Sequence, residues 1–359
     1  MSTPEKGILI VSLDLELYWG VRDIARLDES RDKLLAARAA VPRLLDLFTR
    51  HEIHATWATV GMLFFHSKED LLRCVPRTLP RYARRKLSPY EDLETLGANE
   101  TQDPFHFAYS LVQAIASTPR QEIGTHTFSH YYCLEDGQDV DTFRADLNAG
   151  VSAASRLGIG IESLVFPRNQ VNEGYLQACA EAGIRVYRGN NAGWMHARRQ
   201  RRKESQPWRG LRLLDCYLNL SGHNTYDPRE ITGRVPMELP SSRYLRMNPR
   251  WLGPLEPLRM RRLRYEMQHA ARHGRVYHLW FHPEDIGADA DRNYSFLEKV
   301  FEGFADLREE GAMESLNMQE FFHRFEKVKS RSPFCPALKS HPSRQLGQNY
   351  PRIALISPV

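Results

Sequence analysis

Short apolar runs alternate along most of the chain with longer stretches in which apolar residues recur every three or four positions. The runs predict strands over 7–16, 54–61, 122–126, 163–167, 185–189, 211–218 and 275–282. The longer stretches predict helices over 32–50, 139–157, 173–182, 255–273 and 295–310. Strand, helix and strand in regular succession imply parallel strands covered by helices, either closed into a barrel or left open. Two stretches break the rhythm. Between the second and third strands, residues 66–120 are too polar and Pro-rich to read as core, which predicts an inserted, partly helical excursion. After about residue 328 the periodicity ends and prolines accumulate, so 1–328 reads as one domain and 329–359 as an irregular tail.

The first strand, in "IVSLDLELYWG", is the anomaly. Asp14 and Glu16 stand two residues apart in an apolar run, so they project from one face near the strand's C-terminal end. Two adjacent carboxylates in an apolar setting repel each other, and without a cation one of them takes up a proton. A metal ion removes the conflict, provided the chain supplies nitrogen ligands. Three His-x-x-x-His pairs are available. His269 and His273 lie on an arginine-rich helical stretch whose field opposes a dication, and are expected on a solvated helix face. His278 and His282 lie on a strand, too far apart for one metal, and are expected to serve separate purposes. His126 and His130, in "EIGTHTFSH", follow a short strand, and one helical turn there would aim both imidazoles at one point, where parallel α/β folds place active sites. One carboxylate and two neutral imidazoles make a three-ligand site open to water, with the second carboxylate free as a base.

Composition narrows the setting. The chain has 359 residues, 42% hydrophobic and 26% charged, as in an ordinary globular protein, and no apolar run approaches the roughly 18 residues of a membrane span. Five scattered cysteines without a CxxC pair argue against a disulfide framework or a thiolate metal site, and a cytoplasmic location is expected. Net charge is +5, with basic clusters at 81–86, 196–203 and 259–265 that suit phosphates on a nucleotide-linked or lipid-linked sugar or on an anionic membrane surface. A nucleic-acid partner is not expected, because no zinc-finger or RNA-binding signature accompanies them.

Taken in order, these segments resemble the polysaccharide deacetylase family, the NodB-homology or carbohydrate esterase 4 group, over about 7–325. "EIGTHTFSH" resembles its histidine motif and "SLDLELYWG" its first motif, in a branch where one residue separates the acids. "VFPRNQ" resembles its arginine-proline motif with the order inverted, and "HLWFHPED" its final motif. The resemblance implies a distorted (β/α) barrel of about seven parallel strands, and a divalent metal, Zn²⁺ foremost, held by Glu16, His126 and His130. It further implies Asp14 as catalytic base, Arg168 as the residue holding that base ionised, and His282 as the acid that protonates the leaving group. The partner of His282 has no clear motif, and Asp285 or Asp215 is the candidate. Trp19, Trp194 and Asn169 are the candidate substrate contacts. The implied activity is removal of an N-acetyl or O-acetyl group from a sugar, with a surface-polysaccharide or lipopolysaccharide precursor as the expected substrate. The alternatives are a deformylase or other amide hydrolase on the same fold, and a non-catalytic glycan- or phosphate-binding module.

Overall fold

The computed structural model describes residues 5–329 apart from 192, 194–205, 232, 248 and 288. The expected tail, 330 onward, lies outside the described residues, as does Trp194. Among the described residues nine strands form one sheet: β1 Gly7–Leu15, β2 Ala55–Thr59, β3 Gln121–Thr125, β4 Ser163–Val165, β5 Val186–Gly189, β6 Met237–Pro240, β7 Arg243–Tyr244, β8 Val276–Phe281 and β9 Met313–Ser315. They are ordered β6-β5-β4-β3-β2-β1-β8-β7, with β9 beside the start of β1, and every pairing is parallel. The helices are α1 Leu27–His51, α2 Lys68–Cys74, α3 Tyr109–Ser117, α4 Val140–Ser155, α5 Leu176–Glu181, α6 Gln206–Asp215, α7 Glu256–His273, α8 Pro283–Gly287, α9 Ala290–Glu309 and α10 Met318–Lys329. The two ends of the sheet meet through one segment: Met237–Pro240 pairs with β5, and Ser242 N–H then donates to His278 O of β8 at 2.8 Å. This is a distorted (β/α) barrel with more strands than expected.

β1 is buried on both faces, as a strand walled by helices outside and by its own barrel inside must be. Its odd positions, Leu9 to Leu15, join the core under the helices, with Leu44, Phe48 and Phe301. Its even positions point inward and change character along the strand. Ile8 and Ile10 pack with Val186, Met237 and Val276, and α10 closes that end with Met318, Phe321 and Phe322. Ser12 and Asp14 follow at the other end, so the barrel has a dry floor and a polar mouth.

The structure departs from the expected elements in identifiable ways. Residues 211–218 were expected as a strand, but 206–215 form α6 and pack their C-terminal end on α7, where Arg262 Nε donates to Asp215 O at 3.4 Å. A short leucine-rich run fits either period, and the neighbouring helix decides it. Segment 66–120 carries α2, α3 and three 3₁₀ turns, yet Leu93, Leu96, Phe105 and Phe107 join the main core. Of the α7 face expected in solvent, His273 is exposed and His269 half-buried, stacked between His223 and His273, whereas Glu266 and Arg262 are buried and pair with Arg243 and Asp215. Cys74, Cys133, Cys179 and Cys216 are free thiols, and among the described residues no helix is long and apolar enough to cross a membrane.

Candidate metal centre and active site

The strand C-termini deliver the site. β3 ends at Thr125, and His126 follows directly. The two histidines converge through an irregular loop, not the helical turn expected: Thr127 and His130 take left-handed backbone angles, φ 60° and 57°. Such angles cost non-glycine residues energy, so the loop must be held from outside. Asp146 of α4 holds it, accepting from the Phe128 N–H at 2.8 Å, the Ser129 hydroxyl and the Tyr90 hydroxyl at 2.9 Å. Thr127 Oγ1 accepts from the Tyr131 N–H at 2.7 Å.

Glu16 lies one residue past β1. Its Oε2 is 2.9 Å from His130 Nε2 and 3.3 Å from His126 Nε2, and one donor atom from each of the three residues lies within 4.8 Å of the others. Both imidazoles are buried, and neither ring nitrogen of His126 nor Nδ1 of His130 has a hydrogen-bond partner. Buried polar atoms without partners are costly. A carboxylate and two imidazoles converging on one point fit a divalent cation, and the unpartnered His126 Nε2 beside Glu16 is an orphaned atom that such a cation would engage. Burial pushes the Glu16 carboxyl up, but His130 and His126 outweigh it and hold it well below the usual carboxylate range.

Asp14 stands beside this cluster, buried and ionised. Burial opposes its charge, but Arg188, with His126 and His282, overcomes that and lowers its pKa. Arg188 of β5 forms a fork on both carboxylate oxygens, 2.7 and 2.6 Å, and its guanidinium lies 4.3 Å from the Trp280 ring centre. Arg188 also donates to Ser12 Oγ and to Asn169 Oδ1. Arg168, expected on Asp14, instead reaches Asp23 at 2.5 Å and lies over the Tyr132 ring. Arg168 and Asn169 both have left-handed backbone angles, a turn that aims Asn169 at Arg188 and sends Arg168 to the far rim.

His282 follows β8, one residue beyond the Leu13–Phe281 pair and hence level with Asp14. Its Nε2 is 3.7 Å from Asp14 Oδ2 and 3.7 Å from Glu16 Oε1. Its Nδ1 is 3.1 Å from Asp285, which also accepts from the His282 N–H and the Tyr244 hydroxyl. Burial lowers the His282 pKa, but Asp285, Glu16 and Asp14 together raise it to about 10, so the ring is an imidazolium at neutral pH. Of the two candidate partners, Asp285 holds His282, whereas Asp215 belongs to the arginine cluster of α7. His278 points into the barrel, with Nε2 2.9 Å from Ser12 Oγ; burial first, then Arg188, lowers its pKa to about 3.

Trp19 is no substrate wall. It is 1% exposed, and its indole N–H donates to His106 O at 3.0 Å in the core. Trp280 and Tyr244 are aromatics that line the mouth. Sequence reasoning also missed Arg188 and Tyr244. The signal for Arg188 was an arginine at an inward register position of a buried strand, two residues after Val186.

No family model and no curated protein matches the chain. Solved structures do match in fold. A protein of Mycobacterium smegmatis assigned as a polysaccharide deacetylase aligns with a TM-score of 0.57 and 15% identity, over 96% of this chain and 97% of its own. Another so assigned, from Pseudomonas aeruginosa PAO1, aligns at 0.54 and 12%, over 93% and 96%. An allantoinase aligns at 0.54 and 12%, also over 93% and 96%. The barrel is that of the polysaccharide deacetylase structures over nearly its whole length.

Proposed function

We propose that the protein is a metal-dependent hydrolase that removes an N-acetyl or O-acetyl group from a sugar. The supporting observation is the placement of Asp14 and His282 beside Glu16, His126 and His130, Asp14 held by the buried Arg188 and His282 by Asp285. Glu16, His126 and His130 would hold a divalent cation, which when bound would supply Lewis acidity for acyl hydrolysis. Asp14, ionised by Arg188, takes the proton of the attacking water. His282, charged and oriented by Asp285, returns a proton to the departing nitrogen or oxygen. Two imidazole nitrogens and a carboxylate oxygen favour zinc among common divalent ions. The substrate we favour is a precursor of a surface polysaccharide or lipopolysaccharide.

The test combines metal content with turnover. Asp14→Asn and His282→Ala are expected to slow acetate release from acetylated amino sugars by about 10² to 10⁴ with metal retained, whereas His126→Ala loses the metal. Full activity in metal-free wild type refutes the reading. The allantoinase of the same fold favours amide hydrolysis as the second reading, and formylated or non-sugar amides turned over faster than acetylated sugars would establish it.

A further inference from the structure

The chain leaves its extended path just past β1. Glu16 has φ −127° and ψ −21°, and Leu17 has φ 46°, a left-handed angle that a leucine keeps only under outside restraint. The Leu17 side chain is fully buried, and the restraint acts on its backbone. Its N–H donates to Glu284 Oε1 at 3.1 Å, and the next N–H, of Tyr18, donates to Phe105 O at 3.2 Å. Glu284 is 5% exposed, and its Oε2 has no hydrogen-bond partner. A buried carboxyl with one oxygen unsatisfied is costly, which points to a role in the site over one in stability.

The anchor is rigid. Glu284 lies on α8, where Asn293 of α9 donates to Asp285 O and Ile286 O, each at 3.2 Å, and where a Cβ at Gly287 would lie 2.6 Å from Ala36 Cβ of α1. Asp285 of the same helix holds His282, and Glu284, one residue earlier, holds the peptide that joins Glu16 to Leu17. Consecutive residues of one short helix thus hold the acid and the carboxylate ligand, which stand 3.7 Å apart. We propose that Glu284 is a positioning residue for the metal: by holding the Glu16–Leu17 peptide it aims the Glu16 carboxylate at His126 and His130. The role rests on the metal-dependent reading above, and is independent of which bond is hydrolysed.

Zinc titration of the metal-free full chain tests it without turnover. Glu284→Gln keeps the reach and the accepting oxygen and loses the acid, whereas Glu284→Asp keeps the acid and withdraws the oxygen. Glu284→Asp is expected to bind zinc at least about tenfold more weakly than wild type, and Glu284→Gln within about threefold of it, with little change in the melting temperatures of the metal-free proteins. A loss in Glu284→Gln equal to that in Glu284→Asp assigns the effect to charge and overturns the role. Where Glu284→Asp does not fold, hydrogen exchange in the metal-free wild type decides: the Leu17 amide is expected to be protected like those of β1, and exchange at the rate of exposed amides overturns the role. A wild type that binds no zinc refutes the metal-dependent reading and the role with it. A wild type that binds zinc beside a folded Glu284→Asp of unchanged affinity refutes the role alone.

Discussion

Replacing Arg188 with methionine removes a charge and leaves a comparable volume. Arg188 is 1% exposed and makes both of its short bonds to Asp14, which is itself 3% exposed. Removing one partner of a buried pair typically costs about 3–5 kcal/mol, because the other is left as an uncompensated buried charge. At 1.36 kcal/mol per pKa unit, that corresponds to a rise of roughly 2–4 units in the Asp14 pKa. A base must be ionised to act, so the acid limb of the kcat/KM profile for acetate release should move up by at least about 2 units while the alkaline plateau changes less. Stability gives a readout independent of activity. In the variant the folded pKa of Asp14 lies above its unfolded value, so protonation relieves the destabilisation, and the gap in stability from wild type should narrow as pH falls toward 4. Arg168→Met is the control, because Arg168 serves Asp23. An acid limb within half a unit of wild type in Arg188→Met, or one that moves instead in Arg168→Met, refutes the reasoning.

Gly20→Ala should weaken metal binding about tenfold or more with little change in the melting temperature of the metal-free protein. A Cβ at Gly20 would sit 2.1 Å from Glu16 Cδ, so the flexible carboxylate must swing away from the histidines, and unchanged metal affinity in a titration would contradict this. His278, near 6.5 when unfolded and about 3 when buried, binds fewer protons in the native state between those values, so it erodes stability as pH falls below 6.5, by about 1.4 kcal/mol per pH unit. His278→Asn should flatten that slope in denaturant titrations between pH 4 and 7, and an identical slope would show that His278 is not the group responsible.

The alternation of apolar runs and helical periods, the inward parity of Asp14 and the spacing of His126 and His130 were legible because each depends on neighbours a few residues apart. Local pattern could not choose among partners on other strands. Arg168 stood in a recognisable segment beside the site, yet sheet register put Arg188 on Asp14 and a left-handed turn carried Arg168 to Asp23. Trp19 followed the site strand, and packing against the 105–107 segment turned its indole into the core. Residues 211–218 fitted two periods until α7 supplied a surface for a helix. The two histidines were visible, but the loop that aims them depends on Asp146, 16 residues beyond His130, and on Tyr90. The sequence by itself determined the residue types and the end of the barrel where they gather, because periodicity and burial are local properties. Only the tertiary structure decided which charge compensates which, because a buried ion pair is set by distances across strands that no spacing along the chain encodes.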